Sequence, residues 1–118
     1  MHQAMMTPEI RECIKNCLDC HSICSETVTH CLTLGGRHAE HHHIGLMLDC
    51  AQICSTSADF MLRGSPRHVD TCDLCSTICR QCADECSRMA DGDETMLRCA
   101  EICNRCAESC HRMAMTAA

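Results

Sequence analysis

Tryptophan and tyrosine are absent from this 118-residue chain, and phenylalanine occurs once, at Phe60. The bulky side chains that usually anchor an interior are missing, so smaller groups must fill the core. No apolar run approaches the roughly 20 residues of a membrane span. The opening residues, Met1-His2-Gln3-Ala4-Met5-Met6-Thr7-Pro8, have neither the basic segment nor the apolar segment of a secretory signal. The expectation is a soluble, cytoplasmic protein. Positive charge is also in deficit, with ten Lys and Arg against sixteen Asp and Glu, which gives no reason to expect a nucleic-acid partner. The histidines and carboxylates form no recognisable nucleophile or acid–base motif, and no enzymatic activity is predicted.

What the chain has in abundance is sulfur: sixteen Cys and nine Met. Three stretches carry one pattern, C-x3-C-x2-C-x3-C. They are Cys13-Cys17-Cys20-Cys24, Cys75-Cys79-Cys82-Cys86 and Cys99-Cys103-Cys106-Cys110. Steps of four, three and four are the spacing of a buried helix stripe, where a bundle normally holds Leu or Ile. So many cysteines by themselves suggest a disulfide scaffold. Helical spacing argues against that, because disulfide frameworks are irregular and loop-rich. Cysteines at i and i+4 also sit about 6 Å apart with near-parallel Cβ vectors, a poor geometry for bridging.

Helix ends can be read from the same chain. Thr7-Pro8-Glu9 is an N-cap, a proline at N1 and a first-turn acid. The first helix should run to about Thr33 and stop at Gly35-Gly36. The second should cover roughly Arg37 to Leu62. Ser65-Pro66 should cap a third that ends near Ala90, and after Asp91-Gly92-Asp93 the fourth should span Glu94 to Met115. Connections this short make neighbouring helices antiparallel. The predicted fold is all-α: an up-down-up-down four-helix bundle with a cysteine-lined core, a single domain over residues 1–118.

The inward stripes account for every cysteine. The first helix contributes Cys13, Cys17, Cys20, Cys24, Thr27 and Cys31; the second, His43, Met47, Cys50, Cys54, Ser57 and Met61. The third contributes His68, Cys72, Cys75, Cys79, Cys82, Cys86 and Met89, and the fourth Met96, Cys99, Cys103, Cys106, Cys110 and Met113. Ile14, Leu18, Ile53, Leu74, Ile78 and Ile102 adjoin the stripes and either seal the seams or leave an outward apolar face for self-association.

A column of thiols on rigid helices selects among metals. Zn(II) prefers closed four-ligand sites built on loop knuckles, and iron–sulfur clusters want cysteine-bearing loops. Zinc or cadmium buffering and iron–sulfur redox chemistry are the alternative readings. Cu(I) suits the ladder better, being soft and content with two or three thiolate or thioether ligands. Each Cu(I) displaces about one proton, so one ion per thiolate leaves the core near neutral. The implied capacity is on the order of the cysteine count, many Cu(I) ions per chain.

In this respect the chain resembles the cytosolic members of the bacterial copper storage protein family. The resemblance rests on the three ladders plus Cys50-x3-Cys54 and spans nearly the whole chain. It implies Cu(I) storage or detoxification inside the bundle, assembly as a homotetramer, and a copper chaperone or small-thiol donor as partner. One departure is the second helix, where Ser57 and Met61 stand in place of further cysteines.

The candidate metal ligands are all sixteen cysteines together with His43, Met47, Met89 and Met96. The last four gather with Cys31 and Cys86 at one end of an antiparallel bundle. Imidazole and thioether exchange Cu(I) faster than thiolate does, as a port requires, although Met is also common core filler. The opposite end should hold Cys13, Met61, His68, Cys72, Cys110 and Met113, covered by Met5 and Met6. His68 is either a ligand or solvent-exposed. His2, His21, His30, His38, His41, His42 and His111 are expected on the surface.

Overall fold

The computed structural model describes residues 6–116; His2 and Met5 lie outside them. Four helices follow one another: α1 (Pro8–Leu34), α2 (His41–Leu62), α3 (His68–Ala90) and α4 (Glu94–Thr116). The described residues contain no strand.

Local chemistry sets the helix ends. Thr7 Oγ1 accepts the Ile10 N–H at 3.2 Å, satisfying one orphan donor of the first turn. Gly35 (φ 74°) ends α1 with its N–H on the Cys31 carbonyl. The second helix starts later than the sequence suggests. Gly36–Ala39 forms a short 3₁₀ turn, because consecutive left-handed glycines break the α-helical ladder and Glu40 is extended (φ −67°, ψ 147°). The third helix also starts later, at His68. Ser65 and Pro66 belong to a turn, in which Ser65 Oγ accepts the Arg67 N–H and the Ser65 carbonyl accepts from His68 Nδ1. Asp91 (φ 49°) and Gly92 (φ 87°) reverse the chain, and Asp93 Oδ1 caps α4 by accepting the Met96 N–H at 2.9 Å.

Contacts across the core show the direction of each helix. Cys17 meets Cys110, while Cys24, two turns further along α1, meets Cys103 and Cys99. Likewise Cys50 meets Cys79 and Cys54 meets Cys75. Neighbours therefore run in opposite directions. The bundle is narrow, with Cα extents of 50 × 18 × 18 Å. Small side chains allow this: all sixteen cysteines are fully buried, flanked by buried Ala51, Ala58, Ala83, Ala90, Ala100 and Ala107. Ile14 is buried, and Ile53, Ile78 and Ile102 pack against the core as seam residues. Leu18 and Leu74 face outward, 43% and 52% exposed.

Candidate metal centre

Helical periodicity puts each thiol on the inner face, and the antiparallel register then brings thiols from four helices together. Sulfur–sulfur contacts run from 3.4 Å (Cys17–Cys110) to 4.0 Å (Cys99–Cys103). In each of five overlapping groups of four, all the sulfurs lie within 4.8 Å of one another. In axial order they are Cys17/Cys75/Cys106/Cys110, Cys54/Cys75/Cys79/Cys106, Cys20/Cys50/Cys54/Cys79, Cys20/Cys24/Cys50/Cys103 and Cys24/Cys82/Cys99/Cys103. Each quartet shares two sulfurs with the next, so these are overlapping segments of one column.

That sharing carries chemical information. A tetrahedral ion with bonds of about 2.3 Å holds its ligands about 3.8 Å apart, so any single quartet would fit zinc. The twelve thiols in these quartets divide into only three independent sets of four. Three divalent ions on twelve thiolates would leave six buried negative charges uncompensated, a heavy desolvation cost. Monovalent ions bridged by shared thiolates can fill the whole column and neutralise it.

The remaining four cysteines extend the column. Cys13 lies 3.7 Å from Cys110, and Cys72 adjoins both Cys110 and Cys13 and lies 3.8 Å from the Met61 sulfur. Cys86 adjoins Cys82 and Cys99. Cys31 lies 3.3 Å from His43 Nε2. Thiols this close cannot ionise together. The bond from Cys103 first of all holds Cys50 low, whereas Cys103 is pushed up, foremost by its bond to Cys20. Burial, with the negative charge of Asp93 second, pushes the Cys31 thiol up to about 11. Any ion entering must therefore displace protons.

The two ends differ. At one, His43 (1% exposed) meets Cys31, and Met47, Met96 and Met89 are buried on their helices. His41 and His42 are exposed. At the other end His68 is half-buried and bonded to the Ser65 carbonyl, so it serves the turn. Met6 packs against the core there.

Some histidines read as surface residues are half-buried and join elements. His21 Nδ1 lies 2.9 Å from the Ala51 carbonyl, His30 Nε2 pairs with Asp93 at 2.8 Å, and His38 Nε2 donates to the Met89 carbonyl at 3.2 Å. His111 is exposed. The residue most clearly missed is Glu85. Only 9% exposed, it faces His43 Nδ1 at 3.6 Å and bonds Arg88. Its signal was its position, three residues after Cys82 and beside Cys86, at the margin of the inward stripe. The cross-helix pair Asn16–Ser109 (3.2 Å) was also missed, whereas Ser57 is buried on the inward stripe where the sequence puts it, with its hydroxyl unpartnered.

Comparison with known proteins agrees with this geometry. The copper storage protein family profile matches residues 6–115. No curated protein shows a significant match. Among solved structures, the Nmul_A1745 protein of Nitrosospira multiformis is 41% identical over 91% of this chain and 95% of its own, with a TM-score of 0.85. A Cu(I)-bound copper storage protein, BsCsp3, is 34% identical over 90% and 98%, with a TM-score of 0.83. A cytosolic copper storage protein of Streptomyces lividans, in a structure with five coppers, is 27% identical over 91% and 92%, TM-score 0.79. The match over nearly the full length and the shared bundle place this chain in the copper storage protein family.

Proposed function

We propose that the chain is a high-capacity store for Cu(I), held by thiolates along the axis of the bundle. The observation that carries this reading is the sharing of two sulfurs between each four-thiol group and the next. It favours bridged monovalent ions over separate tetrahedral zinc sites. The family is one of copper storage proteins, and the reading is of a binding protein. All sixteen cysteines act as ligands, and His43, Met47, Met89 and Met96 form the port. A reducing, cytoplasmic setting suits sixteen free thiols. Outward Leu18 and Leu74 support self-association, read here as a homotetramer from the family resemblance, and copper arrives from a chaperone or a small-thiol donor.

Anaerobic titration of the reduced apo protein with Cu(I), against a competing chelator, tests the main claim. Saturation near sixteen equivalents, the number of cysteines, supports storage through bridging thiolates. Saturation at about three or four ions would mean discrete closed sites and would return the zinc reading.

A further inference from the structure

The two ring nitrogens of His43 face different groups. Nε2 lies 3.3 Å from the Cys31 sulfur. Nδ1 is buried without a hydrogen-bond partner, and Glu85 Oε2 stands 3.6 Å from it. Glu85 is itself nine-tenths buried, and its other oxygen, Oε1, is bonded by the Arg88 guanidinium. A neutral imidazole carries its one proton on one nitrogen, and its neighbours select which. With the proton on Nε2, the Nδ1 lone pair would confront a buried carboxylate, two acceptors with no hydrogen between them. With the proton on Nδ1, a movement of about 0.5 Å completes a charge-assisted hydrogen bond to Glu85.

We infer that Glu85 is a positioning residue of the port: it holds the His43 proton on Nδ1, so that Nε2 turns its free lone pair toward an ion arriving at Cys31. Arg88 anchors the carboxylate and keeps it from swinging away. A carboxylate behind a ligating imidazole fixes the ring and raises its basicity. This inference rests on the reading of the Cys31–His43 end as the port.

Nitrogen-15 NMR of the His43 imidazole in the reduced, full-length apo protein is the direct test. The expected spectrum is that of an Nδ1–H tautomer, retained in Glu85→Gln, whose amide oxygen still accepts, and lost in Glu85→Leu. Stopped-flow uptake of the first equivalent from a Cu(I)–chelator complex should slow 10- to 100-fold in Glu85→Leu and far less in Glu85→Gln. An Nε2–H tautomer in the wild type overturns the inference, and needs no variant to fold. So does uptake by Glu85→Leu at the wild-type rate. His43→Ala separates the two levels. If it takes up copper as fast as the wild type, the port reading itself fails; if it is slow while Glu85→Leu is not, only the role of Glu85 is lost.

Discussion

A cysteine at a core position is a small, weakly apolar side chain that packs like alanine with one more heavy atom. Sixteen of them, each fully buried, make an interior whose chemistry is set one thiol at a time. Cys79 illustrates the point. It belongs to two adjacent quartets and lies 3.5 to 3.9 Å from Cys54, Cys50, Cys75 and Cys20. Cys79→Ser changes volume little, so the helices should form normally while the Cu(I) endpoint falls by about one equivalent. Circular dichroism and the anaerobic titration check both halves; a complete loss of binding would mean a single indivisible cluster. Cys31 supports a second prediction, about pH. Its pKa is raised from 9.0 to about 11 in the fold. A raised thiol holds its proton more tightly when folded, so its contribution to stability is complete below pH 9 and disappears as pH rises through 11. Denaturant midpoints of the reduced apo protein should therefore fall more steeply across that window in the wild type than in Cys31→Ser.

The helices are held in place by their ends as much as by their faces. The turn between α3 and α4 uses one side chain twice: Asp93 caps α4 through Oδ1 and pairs with His30 of α1 through Oδ2. Losing a cap of this kind costs about 1 kcal/mol. Asp93→Ala should lower the unfolding free energy by at least that much, and His30→Ala by less, since the cap survives; urea denaturation of both variants distinguishes them. The start of α2 was the boundary least legible in the sequence. Arg37, His38 and Ala39 are compatible with a helix, and the interruption comes from the backbone of Gly35, Gly36 and Glu40. His38 then acquires a role that propensity cannot reveal, donating to the Met89 carbonyl near the end of α3.

At the scale of the whole bundle, the absence of large apolar anchors leaves the apo protein dependent on thin packing between Cys and Ala. Ligands that bind only the folded state add stability by mass action, about 2.7 kcal/mol for an independent site at one hundred times its Kd. Filling the column should raise Tm in steps with each Cu(I) added, followed by calorimetry under anaerobic conditions. A loaded protein that melts with the apo form would mean that copper binds the unfolded chain as tightly as the fold.

How far the sequence carried follows from the range over which each feature is specified. The four helices, the inward placement of every cysteine and the burial of His43, Met47, Met89 and Met96 were determined by spacing along the chain. A period of 3.6 residues is a local property, and short connections leave little choice of topology. Only the tertiary structure decided which thiols meet, because contact between Cys20, Cys50, Cys79 and Cys103 depends on the axial register of four helices. The same register brings Glu85 to face His43 and leaves the Ser57 hydroxyl without a partner. None of these is a property of one helix. The sulfur column was therefore written in the sequence, while the sharing of its sulfurs between neighbouring groups arises from packing.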